Sequence, residues 1–203
     1  METFIQPKNR LTTRQCAAIG KVATNWSLLE FLMERVLGRL AFVPSLLGYV
    51  LTDKLGPDNR IGAIESLLTV HRRKYGQVLV DETTLTEIAT LMKIIKKMKA
   101  DRNFVVHSVW GAAGSDLISN IDIGAAARSG YDFAVGEPER VSDIEQFADT
   151  IQTACDHLFQ LGNQISEPDA VLLDKLRKQE QRSRRAPSSE STRQYRRRSY
   201  TTL

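Results

Sequence analysis

The sequence predicts an all-α protein: an antiparallel four-helix bundle with a small β-hairpin insert before the last helix and a disordered C-terminal tail. Four long segments carry apolar residues at steps of three and four positions, which is the spacing of one buried helix face. Helices with one apolar stripe each bury those stripes against one another as a bundle. At 203 residues and 42% hydrophobic content, the chain can bury one core and leave a surplus at its end.

The first two helices are joined by a long connection. The first is predicted over residues 13–40, with Thr12 or Thr13 as its N-cap. Residues 41–59 contain prolines and glycines and are predicted to be a connection with one or two helical turns. The second helix is predicted over residues 60–75. It ends in a cluster of basic residues, which we interpret as a solvated helix end rather than a phosphate-binding patch.

The third and fourth helices flank the insert. The third covers residues 84–100, and the fourth is predicted to begin at a capping box in residues 142–145. Between them, residues 108–140 form an insert in which residues 117–123 and 131–135 favour β-strands. A hairpin of this size is expected to lie against the helices, because it is not stable alone.

The charge divides the chain into a helical domain, residues 1–166, and a basic tail, residues 167–203. The tail carries ten Lys/Arg and five Asp/Glu, so the body is nearly neutral although the chain has a net charge of +4. Residues 179–203 have almost no aliphatic side chains and are predicted to be disordered. The tail is interpreted either as a solubilising segment or as an RNA-binding arm. The arginines expected to bind RNA are Arg182, Arg184, Arg185, Arg196, Arg197 and Arg198.

The sequence predicts a soluble, cytoplasmic protein with no membrane span. The first ten residues contain no apolar run, and the longest uncharged stretch, residues 40–52, is too short to cross a bilayer. Cys16 and Cys155 lie within helical patterns and are interpreted as core residues of a reduced protein. No metal-ligand spacing and no nucleotide-binding glycine loop is visible, so no metal site and no cofactor are predicted.

The candidate site lies where the third helix ends. Arg102 follows Ile95 by seven positions and so falls within the apolar stripe, where a permanent cation needs a partner or an anion. His107 lies about 140° further round an ideal helix, so it does not simply share a face with Arg102. Asn103 shares a face with His107 and is expected to orient its imidazole. A cation, an amide and an imidazole together are typical of a phosphate-handling site.

Glu30 is a supporting candidate. It lies one turn after Trp26, at the edge of the apolar stripe of the first helix. One interpretation is an acid whose carboxylate reaches water at the rim of the core. The other is that Glu30 pairs with a basic group in the same core, for which Arg102 is the candidate.

The pattern Arg102-Asn103, three residues and then His107, at the end of a bundle helix, resembles the motif of the HEPN superfamily. The segments Trp26-Ser27-Leu28-Leu29-Glu30 and His107-Ser108-Val109-Trp110-Gly111 also resemble uncharacterised bacterial members. The resemblance covers residues 13–165. It implies an all-α bundle that forms a homodimer, with two copies of the motif facing one cleft. Many such proteins are endoribonucleases that need no metal and belong to toxin–antitoxin, phage-defence or RNA-processing systems.

The resemblance therefore implies RNA cleavage with Arg102, Asn103 and His107 as catalytic residues, no cofactor, and an antitoxin or another protein as a further partner. Members regulated by modification carry a tyrosine two positions after the histidine, where this chain has Val109, so that control is not expected. Three alternatives remain. They are an inactive bundle of this family that binds RNA, nucleotides or a protein, a purely structural bundle in which Arg102 pairs with Glu30, and an adaptor that acts through its tail.

Overall fold

A computed structural model of the chain confirms a mostly α-helical fold with a small antiparallel sheet. It describes residues 10–75, 79–122, 134–135, 137–166 and, in the tail, 171, 173–175, 177–178 and 181. In chain order the elements are α1 (Thr13–Leu40), α2 (Ser45–Thr52), α3 (Pro57–Val70), a π-helical turn (His71–Tyr75), α4 (Glu82–His107), β1 (Val109–Ala112), β2 (Leu117–Asp122), β3 (Ala134–Val135), β4 (Glu139–Arg140) and α5 (Val141–Gln164).

The chain divides into two units, Met1–Ser166 and Glu167–Leu203. The described residues of the second unit are helical, with an ion pair between Lys178 and Asp174, one turn apart. Of residues 179–203, which were predicted to be disordered, Gln181 is described and is helical; residues 179, 180 and 182–203, with the six arginines expected to bind RNA, lie outside the described residues. So does the stretch of residues 1–9 that was predicted not to be a signal peptide.

The start of α1 confirms Thr12 as the N-cap. The Thr12 side chain accepts a hydrogen bond from the backbone N–H of Gln15, and the Gln15 side chain accepts one from the N–H of Thr12. The Gln15 side chain is buried, and its Nε2 donates to the carbonyls of Gly114 (2.9 Å) and Leu117 (3.0 Å). This one residue therefore closes the helix end and also holds the first turn of the insert.

Side-chain contacts give the directions of the helices. Along α1, successive residues contact successive residues of α5, from Arg14 with Glu145 to Arg39 with the carbonyl of Ile165, so these two helices run parallel. Contacts of α3 with α1 follow the same order, from Arg60 with Glu30 to His71 with Leu40. Helix α4 is antiparallel to α5, since Thr84 contacts Gln164 near the end of α5 and Glu87 contacts His157. It is also antiparallel to α3, whose ends are joined to it by Asp58 with Lys99 and Arg72 with Glu82. A Cβ at Gly162 would lie 3.3 Å from Val36 Cγ2, which shows how closely α5 packs on α1.

The insert folds as a sheet with β2 at its centre, paired antiparallel with β1, β3 and β4. Strand β2 confirms the first predicted strand, and β3 lies within the second; residues 123–133, between them, are outside the described residues. Strands β1 and β4 were not predicted. The sheet continues into α5 through the N–H of Val141, which donates to the carbonyl of Asp116 at 2.9 Å.

The predicted capping box in residues 142–145 is wrong. Helix α5 begins at Val141 with Arg140 as the N-cap, and no side chain caps it. The Ser142 hydroxyl bonds the Asp143 carboxylate instead, and the Glu145 carboxylate binds Arg14. Because β4 leads directly into the helix, the sheet takes the place of a side-chain cap.

The cysteine prediction holds at one position and fails at the other. Cys155 is buried, and burial raises the pKa of its thiol to about 11, so it behaves as a small apolar core residue. Cys16 is exposed, because it lies beside buried Gln15 rather than on the stripe of α1. Within the described part of the chain, none of the helices is both long and apolar enough to cross a membrane.

Candidate functional site

The predicted motif forms the last two turns of α4. The helix ends at His107, the N–H of Ser108 still donates to the Phe104 carbonyl at 3.1 Å, and the chain then enters β1. Trp110 in β1 donates through Nε1 to the carbonyl of Val105 at 2.7 Å. This hydrogen bond joins the strand to the last turn of the helix. Asn103 and His107 therefore lie on a helix end that is fixed by contacts with β1.

Arg102 brings the three motif residues together. Its Nη1 donates to Asn103 Oδ1 at 3.0 Å and to His107 Nε2 at 3.1 Å. An arginine can only donate, so His107 Nε2 accepts in this arrangement and the ring proton lies on Nδ1. An angular separation of about 140° places Arg102 and His107 on different faces of an ideal helix. They do meet, because the long arginine side chain reaches around the open end of the helix.

Asn103 has a different role from the predicted one. Its side-chain oxygen accepts a hydrogen bond from Arg102, and among the described residues no hydrogen bond joins it to His107. Arg102 is therefore the group that contacts the imidazole, and Asn103 holds Arg102 in place. His107 is exposed, whereas Arg102 and Asn103 are half-buried. The imidazole is thus the part of the cluster that a ligand in solution would reach first.

The ring of Trp26 supports the guanidinium. Cζ of Arg102 lies 5.6 Å from the ring centroid of Trp26, which is completely buried in α1. This distance falls within the range of a cation–π contact. The indole Nε1 donates to Glu30 Oε1 at 2.6 Å, so the orientation of the ring is fixed from its other side. Glu30 therefore supports the site through Trp26.

The predicted ion pair between Glu30 and Arg102 is wrong. Glu30 Oε2 lies 3.2 Å from Nη1 of Arg60, and Nη2 of Arg60 binds the carboxylate of Glu34. Arg60 is 6% exposed, at the start of α3 beside α1. The signal that sequence reasoning missed is Glu34, one turn after Glu30 on the same face of α1. Two partly buried carboxylates at this spacing repel each other, which favours a cation that bonds both.

Arg102 has no direct ion pair among the described residues. Among the described residues, no carboxylate oxygen lies within 4.0 Å of its guanidinium, and its buried Nε has no hydrogen-bond partner there. Its contacts are an amide oxygen, an imidazole nitrogen and an aromatic face. A half-buried cation with these partners retains the capacity to bind an anion such as a phosphate.

The other basic candidates have partners of their own or lie in solvent. Arg72, in the basic cluster after α3, pairs with Glu82 at 2.7 Å on the surface, and Arg73 is exposed. His71 is buried and donates from Nε2 to the Leu40 carbonyl at 2.9 Å. Burial lowers the pKa of His71, which keeps its ring neutral inside the core. These contacts make the cluster part of the helix packing and of its solvated end.

In the described part of the chain, no three His, Cys, Asp or Glu side chains are grouped so that they could hold a metal ion. The chain matches no family model, no curated protein and no solved structure. The resemblance to the HEPN superfamily therefore stays a prediction, based on the residues of the motif.

Proposed function

We propose that this chain is a metal-independent endoribonuclease of the HEPN type, with Arg102, Asn103 and His107 as its site. The observation that supports the proposal is the Arg102 guanidinium, which contacts the His107 imidazole and has no carboxylate partner among the described residues. Phosphoryl transfer requires these two capacities side by side, a cation for the phosphate and a group that moves protons.

The proposed reaction is the attack of a ribose 2′-oxygen on the adjacent phosphorus. The new O–P bond forms as the bond to the 5′-oxygen of the next nucleotide breaks. The products are a 2′,3′-cyclic phosphate and a 5′-hydroxyl. The 2′-OH loses its proton to a base, and the leaving 5′-oxygen gains one from an acid. Histidine performs either transfer near neutral pH, and Arg102 offsets the charge that develops on the non-bridging oxygens.

The geometry implies that substrate must displace a contact before chemistry. His107 Nε2 accepts from Arg102, so its lone pair is occupied in the structure. A phosphate that binds the guanidinium would take over this hydrogen bond and release Nε2 to act as a base. If the hydrogen bond from Arg102 to His107 persists when a ligand is bound, Nε2 cannot act as a base. The chain would then have the alternative function, that of an inactive HEPN-like bundle that binds RNA or nucleotides.

One chain supplies one His107, whereas the reaction uses an acid and a base. We therefore propose a homodimer with two copies of the site in one cleft. The apolar side chain of Val109, which follows the motif and is 46% exposed, is available for such an interface. A protein that sediments as a monomer at high micromolar concentration would contradict the dimer. Cleavage of cellular RNA also implies a cytoplasmic location.

The test is cleavage of mixed RNA in the presence of EDTA by wild type, His107→Ala and the matched control His157→Ala. His157 is an exposed histidine on α5 that lies 3.4 Å from Glu87, away from the motif. Removal of a general acid–base group costs about 10²- to 10⁴-fold in rate. We expect a loss of that size for His107→Ala, little change for His157→Ala, and cyclic phosphate ends on the wild-type products.

Two results would contradict the proposal. If wild type cleaves no RNA under any condition, while RNA still binds and Arg102→Ala weakens that binding, the chain is a binding module. If His107→Ala cleaves as fast as His157→Ala, the catalytic site is elsewhere. A thermal unfolding curve for each variant distinguishes a lost catalytic group from a lost fold, because His107 is exposed and leaves no cavity when truncated.

A further inference from the structure

A second concave site lies on the other side of the end of α4. It is a cleft of about 250 Å³ formed by the last turns of α4, by β1 and β4, and by the start of α5. A single water needs roughly 10–15 Å³ of such space, so the cleft has room for a side chain rather than for a single water. The residues that matter for its chemistry are Asp101, Phe104, Trp110, Glu139, Asp143 and Phe147.

The walls of this cleft are aromatic. Phe104 is 41% exposed, and its ring meets Trp110 edge to face, with centroids 5.4 Å apart and planes at 85°. The hydrogen bond from Trp110 to the Val105 carbonyl fixes the indole, so the ring pair is preorganised. Aromatic faces that stay in contact with water attract cations, because the ring quadrupole places negative potential above the ring.

The polar residues of the cleft are acidic. Asp101, Glu139 and Asp143 line it, and none of them has a basic partner within salt-bridge distance among the described residues. Asp143 accepts one hydrogen bond, from the Ser142 hydroxyl at 3.2 Å. By contrast, Asp116, just before β2, and Glu145, on α5, are both bound by Arg14. The cleft therefore combines aromatic surface with carboxylates that remain available to a ligand.

The position on α4 separates this cleft from the Arg102 site. At about 100° per residue, Asp101 and Phe104 lie on roughly the opposite side of the helix from Arg102 and Asn103. One side of the helix end thus presents a cation without a direct ion pair, and the cleft on the other side is lined by three carboxylates. The carboxylates would repel the phosphates of RNA, so a polyanion is the wrong ligand for the cleft. They also do not form a group that could hold a metal ion within the described residues.

We propose that this acidic–aromatic cleft is a docking site for a basic peptide segment of a partner protein, which inserts an arginine or lysine side chain between the rings and the carboxylates. A guanidinium or ammonium group contacts the face of Phe104 and pairs with Asp101 and Asp143, while its methylene stem covers the apolar wall. The chain as a whole carries a charge of +4, so its net field opposes a basic ligand, and only the local carboxylates favour it. This docking site does not depend on the proposed ribonuclease activity.

The test is fluorescence anisotropy with the full chain and a dye-labelled Gly-Arg-Gly-Arg-Gly peptide, compared with the same peptide carrying citrulline in place of arginine. Citrulline keeps the shape of arginine and removes its charge. We expect the arginine peptide to bind about tenfold more tightly, because both the ion pairs and the cation–π contact need the charge. Equal affinity of the two peptides would overturn the proposal.

Variants locate the binding. Asp101→Asn combined with Asp143→Asn should weaken the arginine peptide about threefold to tenfold, since each exposed pair is worth up to about fivefold. Phe104→Leu keeps an apolar wall without a ring and should cost about twofold to fivefold. The matched control is Asp156→Asn, an exposed acid on α5 outside the cleft, which should change affinity by less than about twofold.

Two outcomes would refute the docking site. One is a loss in Asp156→Asn as large as in the cleft variants, which would mean that the peptide responds to overall charge. The other is displacement of the peptide by unlabelled guanosine 5′-monophosphate, which would identify a nucleotide site instead. The carboxamide substitutions are at exposed or half-exposed positions, so their thermal midpoints should stay near that of wild type and keep the measurement interpretable.

Discussion

Replacement of Arg60 by alanine removes the cation that bonds the carboxylates of both Glu30 and Glu34. The side chains of Arg60 and Glu34 are 7% and 13% exposed, and that of Glu30 is 27% exposed. Loss of one partner from a buried ion pair typically costs about 3–5 kcal/mol, because the remaining charge has no compensation. Glu30 retains the hydrogen bond from Trp26 and some contact with water. We therefore expect Arg60→Ala to lower the free energy of unfolding by about 3 kcal/mol, the lower end of this range.

Arg102→Ala provides the comparison. This substitution removes two hydrogen bonds and the contact with Trp26 but leaves no carboxylate unpaired among the described residues. An exposed cation–π contact is worth about 0.5–1 kcal/mol, and the two lost hydrogen bonds add little, because water reaches His107 and Asn103; we therefore expect a total cost of about 1–1.5 kcal/mol. For a domain of this size, 1 kcal/mol shifts the thermal midpoint by about 2–4 °C. Arg60→Ala should therefore lower Tm by about 6–12 °C, and Arg102→Ala by about 2–6 °C.

A compensated variant tests the reason for the difference. Arg60→Met with Glu30→Gln and Glu34→Leu removes the whole ion network, while the glutamine amide oxygen still accepts from Trp26. Replacement of a complete buried network by apolar groups is often close to neutral. We expect urea unfolding of this triple variant to recover most of the stability that Arg60→Ala loses. If Arg102→Ala is the more destabilising of the two alanine variants, or if the triple variant is no more stable than Arg60→Ala, the assignment of the structural role to Arg60 is refuted.

Three further predictions follow from buried polar groups and from the tail. Burial lowers the folded-state pKa of His71 below its ordinary value of about 6.5, so folding stability should be complete above that pH and decrease as the pH falls below it; urea midpoints between pH 8 and 5 should decrease less in His71→Gln. Gln15→Leu leaves the N–H of Thr12 and two insert carbonyls without their partner and should cost about 1–3 kcal/mol by urea unfolding. Deletion of residues 179–203 should leave Tm unchanged but weaken RNA binding at low salt. Equal RNA affinity of the full and the truncated chain would show that the tail does not contribute to RNA binding.

Local signals predicted most of the helical framework. The span of α1 and its Thr12 cap follow from apolar spacing and from a side chain close in sequence, and the structure confirms both. Strand β1 could not be predicted in the same way. Its pairing, from Val109 with Ile121 to Ala112 with Ile118, depends on a partner outside its own sequence. The start of α5 was placed wrongly for a similar reason, because β4 rather than a side chain leads into it.

The candidate site shows the same division between local and long-range information. The sequence identified Arg102, Asn103 and His107 as neighbours at a helix end, which follows from their spacing alone. It did not predict that Arg102 would contact the imidazole, because that depends on the conformation of one long side chain. It also assigned Glu30 to the wrong arginine, since Arg60 comes from another helix and carries no apolar pattern that would mark it as buried.

The Arg60 network explains how the core tolerates the charge of Arg102. Glu30 and Glu34 supply two negative charges, and Arg60 supplies one positive charge, so that group is negative by one unit. Trp26 lies between this group and Arg102, with its N–H toward Glu30 and its ring face toward the guanidinium. The positive charge of Arg102 therefore offsets the remaining negative charge of the Arg60 network across the ring of Trp26, without a direct ion pair. A direct pair with Glu30 would occupy the hydrogen-bond donors of Arg102, whereas this arrangement compensates its charge and leaves the guanidinium able to bind an anion beside His107.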